Sequence, residues 1–375
     1  MKQFIYADNA ATTKLDIDAF EAMKPYLVEE YGNASQPYEF ARKPKKALSE
    51  ARETIAECIN ALPEEIFFTS GGTESDNWAI KGPALADLDK KRATITSAFE
   101  HHAILHSCEA IERLGYPVAY LMPTEDGIIT TDTLSDSISN TTRLVSIMYA
   151  NNEIGTIQPI KELCEVAHSH GAIFHTDAVQ AVGHVEIDVQ KIGVDMLSAS
   201  AHKFNGPKGI GFLYIRKDTK IRPYADGGAQ ERQHRAGTEN IASIVGMATA
   251  LKKNCANLEY NMAHIRLLEH NLLEELRASH VPCVLNGGDN SLPGLISLSF
   301  SEADGEAILH RMDLMGISIS TGSACNSVST EISHVLKAIK LNEALAKGTI
   351  RISFGKNNTE DDVRAIVNAL KKILQ

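Results

Sequence analysis

The sequence predicts an α/β protein: a mostly parallel sheet covered by helices on both faces, followed by a smaller α+β unit. Three observations carry this. Between Ile66 and Ile215, short β-branched or aromatic runs alternate with segments of helical periodicity, the pattern of parallel βαβ units. Polar residues stand just past the predicted strand ends: His101, Asn152, Asp177, Gln180 and Lys203. In such sheets a ligand lies outside the carboxyl ends of the strands. From Val281 onward the pattern changes to shorter mixed elements.

Taken in order, Asp16 to Glu30 and Ala41 to Ala61 carry helical periodicity, with Ala47, Leu48, Ala51, Ile55 and Cys58 on one face of the second. Ile66 to Thr69 reads as a strand, running straight into Ser70-Gly71-Gly72-Thr73-Glu74 and a helix. That order aims free backbone N–H groups at an anion, although an ordinary helix cap would also explain it. The doubled glycine favours a phosphate seat, because it lets a ligand approach the backbone closely. Ala93 to Ser97, Leu144 to Ile147, Ala172 to His175 and Met196 to Ala199 read as strands, with Pro159 to His170 helical. Tyr224 to Asn240 is a glycine-rich, charged stretch without apolar periodicity, and a loop that long in a compact domain is functional or disordered. Ile241 to Lys252 and Asn257 to Ser279 are long helices. The strands beyond are Leu295 to Phe300, Ile317 to Ser320 and Thr349 to Phe354. The helices there are Glu302 to Leu314, Glu331 to Lys340 and Glu360 to Leu374.

The bulk properties narrow the function classes. At 375 residues the chain is long enough for two domains, and 43% hydrophobic with 23% charged residues is ordinary globular composition. The net charge of −11 argues against a nucleic-acid partner held by bulk electrostatics. No run reaches membrane-spanning length, and MKQFIYADNAATT is too polar for a secretory leader, so no membrane association and a cytoplasmic address are expected. Six cysteines contain no C-x-x-C pair, which removes zinc ribbons and thioredoxin-like chemistry. Cys58 and Cys164 fall in helical patterns and read as small hydrophobes. Cys325, in Ser-Thr-Gly-Ser-Ala-Cys-Asn-Ser, sits in a small polar run where a thiol is exposed and available.

The chemistry centres on Ser200-Ala201-His202-Lys203, where a strand ends and a glycine-rich turn leads to a second apolar run, Ile210 to Ile215. A buried amine has a lowered pKa and forms a Schiff base with a carbonyl cofactor. The neighbouring Ser200 and His202 can hold a phosphate, and pyridoxal phosphate offers both groups. Alone, the stretch fits a surface loop with an ordinary lysine equally well.

SAHKFNGPKGIG, SGGTESDN, ANNEIG, HTDAVQAVG, GGAQERQHRAGTEN and TGSAC, with YADNAATT at the start and IRISFG near the end, together resemble the cysteine desulfurases. These are pyridoxal-phosphate enzymes of the class V aminotransferase group with fold type I architecture, and the resemblance covers essentially the whole chain. It implies a large cofactor-binding domain over residues 15–255. A small domain from 1–14 and 256–375 would carry the loop cysteine and an arginine for the substrate carboxylate. By the same resemblance Lys203 is the Schiff-base lysine and proton shuttle, and Asp177 pairs with the pyridine nitrogen. An Asp after a strand otherwise caps a helix. Gln180 bonds the phenolic oxygen and His101 stacks on the ring. The phosphate is held by Gly72, Thr73, Ser200 and His202, with Thr238 reaching in from the other subunit of a homodimer. Asn152 contacts cofactor and substrate, and Arg351 grips the carboxylate with a fork suited to it.

Cys325 would take the sulfur of L-cysteine as a persulfide, releasing L-alanine. The small-residue run around it resembles the group with a long sulfur-carrying loop. That implies delivery to an acceptor protein, such as an iron–sulfur scaffold or a thiolation protein. No metal site is expected, although Cys325 could contact a cluster during transfer. Selenocysteine lyase and a class V aminotransferase are the alternatives on the same fold. Ala229 and Gln233 depart from the family's pattern, standing where glycines are usual. Residues 32–37 (Gly-Asn-Ala-Ser-Gln-Pro) also differ from it.

Overall fold

The computed structural model describes residues 4–86, 92–321 and 332–374. Twelve strands occur among them: β1 (Ile5–Tyr6), β2 (Ile66–Thr69), β3 (Ala93–Ser97), β4 (Val118–Leu121), β5 (Thr142–Ser146), β6 (Ile173–Asp177), β7 (Met196–Ser200), β8 (Gly211–Ile215), β9 (Val284–Asn286), β10 (Leu295–Ser299), β11 (Ile317–Ser318) and β12 (Thr349–Ser353). Seven form one sheet in the order β2-β8-β7-β6-β5-β3-β4. β8 runs antiparallel to both neighbours, and every other adjacent pair is parallel. The carboxyl ends of β2, β3, β5, β6 and β7 therefore share one edge. β8 enters at that edge through Gly211, where a Cβ would lie 2.4 Å from the Ala199 carbonyl oxygen. Only glycine lets the three backbones converge there.

β2, β7 and β8 are buried along their whole length, which explains why they read as continuous apolar runs rather than alternating ones. Helix Gly72–Leu85 packs on the sheet and buries Trp78, Ala79, Ile80 and Ala84. On the far side, Ala47, Ala51 and Ile55 of helix Arg42–Cys58 are buried as the periodicity predicts, while Leu48 and Cys58 are only half-buried. That helix and Ile17–Val28 pack on helix Ile241–Ala256.

A second core forms around the antiparallel sheet β12-β10-β9 and the two-stranded parallel pair β1-β11. It joins Ile5 and Ala7 to residues from Ile265 to Ile373, including Leu272, Leu298, Ile352 and Ile366. Helix Leu258–Ala278 and helix Glu360–Leu374 cover it.

The differences from expectation are local. β4 and β9 do not stand out in the sequence, because each leaves apolar side chains in solvent: Tyr120, Val284 and Leu285 are exposed. Helix Gly305–Leu314 starts three residues later than its periodicity suggests. Asp304 caps it by accepting the Glu306 and Ala307 N–H groups, and Glu302 just before is left-handed at φ 59°. The strand expected over Ile317 to Ser320 pairs with β1 only at its first two residues, after which Ser320 bridges to Arg351. The helix expected from Glu331 runs His334–Ala338, with Glu331 itself outside the described residues.

Candidate active site

A cavity of about 570 Å³ opens at the shared strand edge. Of the twelve residues singled out by sequence, all but Thr238 and Cys325 line it. Thr238 is exposed and outside this cavity, and Cys325 lies outside the described residues.

Each wall follows from a local feature. Where β2 ends, Gly71 adopts φ 145° and helix Gly72–Leu85 begins; no side chain among the described residues caps it. Its free N–H groups and dipole suit an anion. A Cβ on Gly72 would lie 2.6 Å from Val179 Cγ2, so a glycine is needed for the helix to start this close to the turn after β6. Ser200, buried at the end of β7, and the half-buried His202 stand across from that helix end.

Asp177 closes β6 and is 6% exposed. It caps no helix; its Oδ1 accepts the Val179 N–H at 2.9 Å in a turn. Burial raises it to about 6, against the lowering effects of that hydrogen bond and of Lys203. His101 does cap a helix, with Nδ1 accepting the Ala103 N–H at 3.1 Å, and it faces the cavity as well. Its ring proton is thereby placed on Nε2. Burial, then Lys203, pushes it down to about 4. His202 is also pushed down to about 4, by burial and then by Lys203 and Lys208.

Lys203 Nζ donates to the carbonyls of Ala10 (2.5 Å) and Ala11 (2.9 Å). Gln180 Nε2 donates to the same Ala10 oxygen at 3.0 Å, and Thr12 Oγ1 is 3.1 Å from His202 Nδ1. The segment at residues 8–12 thus forms a wall of the site, which its sequence (a polar loop rich in turn formers) does not reveal. Its placement depends on pairing of β1 with β11, far along the chain.

Arg351, 4% exposed on β12, donates through Nη1 to the Asn152 carbonyl (2.7 Å) and through Nη2 to Asp8 Oδ1 (2.9 Å). Its Nε has no partner among the described residues. The same arginine forms an ion pair with Asp8 and lines the cavity. Asp76 is a further cavity residue that sequence reasoning missed. It lies one helical turn past Gly72, in a motif whose glycines draw the attention.

The charged loop after Tyr224 is held firmly. Glu231 is buried, takes two hydrogen bonds from Arg52 (2.9 and 2.6 Å) and accepts the Phe68 N–H at 2.9 Å. Arg235 pairs with Glu74 at 2.9 Å, beside the helix start. Glu231, Arg232 and Gln233 are all left-handed, so Gln233 occupies backbone space that favours the glycine it replaces.

The aminotransferase class-V family matches residues 5–366. The chain belongs to that family. It is 47% identical to a protein named cysteine desulfurase IscS from Dictyoglomus turgidum, over 100% of this chain and 95% of that one. It is also 47% identical to a protein of the same name from Methanosarcina thermophila, over 99% and 92%. Among solved structures, a NifS-like protein superposes with TM-score 0.94 at 35% identity, covering 99% of each chain. A second, titled SspA in complex with cysteine, gives 0.84 at 37% identity over 95% of this chain and 100% of that one. The fold expected from the sequence is the fold of this family, a predominantly parallel sheet covered by helices.

Proposed function

We infer that this chain is a cysteine desulfurase, which takes the sulfur of L-cysteine and releases L-alanine. The observation that carries the reading is the convergence on one cavity of a lysine, a buried carboxyl, an uncapped helix start and an arginine. Full-length relatives bear that name, and one solved relative is described with cysteine.

The residues fit pyridoxal phosphate. Lys203 would be its covalent seat, Asp177 would face its ring nitrogen and Gln180 its phenolic oxygen. Gly72, Thr73, Ser200 and His202 would hold its phosphate at the helix start. When bound, the cofactor supplies an electron sink for the substrate's α-carbon. Arg351 and Asn152 orient the substrate carboxylate. His101, neutral at neutral pH, packs beside the reacting centre, and the Lys203 amine moves protons. Cys325 is the sulfur acceptor. Its thiolate attacks the substrate sulfur, the carbon–sulfur bond breaks with its electron pair going to carbon, and a persulfide remains on the enzyme. The flanks of the segment that carries Cys325 support this role. Ser320 pairs with the Arg351 backbone, and beyond the segment His334 Nε2 lies 2.9 Å from the Glu100 carbonyl oxygen.

On this reading residues 15–255 form the cofactor-binding domain, and 1–14 with 256–375 the small domain. The enzyme is a cytoplasmic homodimer in which Thr238 serves the partner's phosphate site, as its exposure here would require. The persulfide passes to an iron–sulfur scaffold or thiolation protein. No helix of the described residues is long and apolar enough to cross a membrane.

The test is alanine release from L-cysteine by purified protein loaded with pyridoxal phosphate, with a thiol reductant present. Alanine with matching sulfide is expected. No alanine, from protein whose cofactor absorbance is intact, would refute the assignment.

A further inference from the structure

Asp76 stands at the second turn of helix Gly72–Leu85, only 1% exposed, and reaches the same end of the cavity as Asp177. One ligating atom each from Asp76, Asp177 and His101 lie within 4.8 Å of one another. Asp76 Oδ1 has no hydrogen-bond partner among the described residues, and it sits 4.0 Å from His175 Nε2. His175 is wholly buried, with Nδ1 2.9 Å from Ser146 Oγ and Nε2 3.0 Å from Ser198 Oγ. The Ser198 hydroxyl also bonds the Asp76 carboxyl. Ser198 is the β7 residue in register with Asp177 on β6, so strand pairing builds this assembly directly under the site.

The charges around the two carboxyls decide where a proton resides. Burial and the neighbouring Asp177 raise Asp76 well above the ordinary carboxyl range, against the lowering effect of the Ser198 hydrogen bond, with a smaller raising effect from Glu100. Glu100 is itself raised to about 8 by burial. His175 is pushed down to about 3 by burial and offers no positive charge; His101 is likewise neutral. Asp177 is the more acidic partner, at about 6, because the Val179 N–H and Lys203 act on it. Two buried carboxyls this close cannot both ionise without a large penalty, and the pair shares its proton unequally.

We propose that Asp76 is a positioning residue that keeps the proton of this carboxyl pair, so that Asp177 alone presents negative charge to the cofactor's ring nitrogen. Ser198, itself held by His175, fixes the orientation of the acid. This rests on the pyridoxal-phosphate reading of the cavity and adds to it a residue that sets the charge at the nitrogen end.

The test uses the cofactor-loaded protein and its D76N and D76A variants. The absorbance of the lysine-bound cofactor is followed against pH, and the cofactor's affinity is measured on stripped protein. Asparagine imitates the neutral acid, so D76N should leave the titration midpoint within about 0.3 unit and the affinity within about threefold of wild type. D76A should move the midpoint by more than that and weaken the cofactor by roughly tenfold, the scale of one lost hydrogen bond. Infrared difference spectra of wild type minus D76N should show the carbonyl stretch of a neutral carboxylic acid. A D76N midpoint shifted by about a unit or more, or no such infrared band, would show that Asp76 is ionised and overturn the proposal. A D76A protein that matches wild type in both readouts would overturn it as well. Should D76A fail to fold, Ser198→Ala breaks the same assembly from β7 and carries the same expectation. Wild-type protein that binds no pyridoxal phosphate at all would sink the functional reading and this proposal together; a shifted D76N curve sinks this one alone.

Discussion

Replacing Arg351 with lysine gives the sharpest test of the substrate end of the site. The guanidinium is buried and locked by the Asn152 carbonyl at 2.7 Å and by Asp8 at 2.9 Å, which use two of its five N–H donors. Lysine keeps the charge but has one nitrogen, which cannot hold both partners and still present a second donor to a carboxylate. At least one charge-assisted hydrogen bond to substrate is lost, about 1.5–3 kcal/mol. With about 1.4 kcal/mol per decade, kcat/KM for alanine release should fall roughly 10- to 150-fold. The loss should fall mainly on KM, because the carboxylate is held equally before and during reaction. Cofactor absorbance should not change. Steady-state alanine release across a range of cysteine concentrations measures it. A kcat/KM within twofold of wild type would show that the spare donor does not meet substrate and that Arg351 serves only its ion pair.

Three further outcomes are expected. Lys203→Ala should abolish the absorbance of lysine-bound cofactor, and a variant that kept it would mean that another lysine is the attachment point. Cys325→Ala should retain that absorbance while losing alanine formation and protein persulfide; normal persulfide labelling would remove Cys325 from the mechanism. Glu100→Gln should flatten the dependence of thermal stability on pH between about 5 and 8. The Glu100 carboxyl is raised by burial to about 8, so the folded state holds a proton that the unfolded chain releases near 4.5. Its stabilising contribution is therefore complete below that lower value and declines as pH rises toward 8, with a slope of at most about 1.4 kcal/mol per pH unit. Melting curves at pH 5 and pH 8 should differ less in Glu100→Gln than in wild type; an unchanged difference would show that Glu100 is ionised in the fold.

What was legible in the sequence was the part of the site that short-range structure creates. His101, Asp177, Ser200 and Lys203 follow directly from strands whose apolar runs are unmistakable, and the cavity gathers them because those strands share an edge. The pattern failed where a residue's role depends on distant chain. Ala10 and Ala11 hold Lys203 through backbone carbonyls, which carry no side-chain signature. Asp76 looks like one more acid near a helix start until packing seals it against His175. β4 and β9 escaped notice for the opposite reason, since edge strands expose apolar residues and need no alternation.

The pairing of Ile5 with Ile317 and of Asp8 with Arg351 also has a consequence for synthesis. The segment that grips Lys203 is synthesised before the large sheet, yet its β-partners are made more than 300 residues later, tens of seconds at ~5–20 residues per second. The large sheet can assemble in that interval, but one wall of its pocket must wait for the far end of the chain. Early in its life the polypeptide thus has a lysine at a strand end without the carbonyls that hold its amine. The wall of the cavity that holds the Lys203 amine is therefore completed only once β11 and β12 have been made.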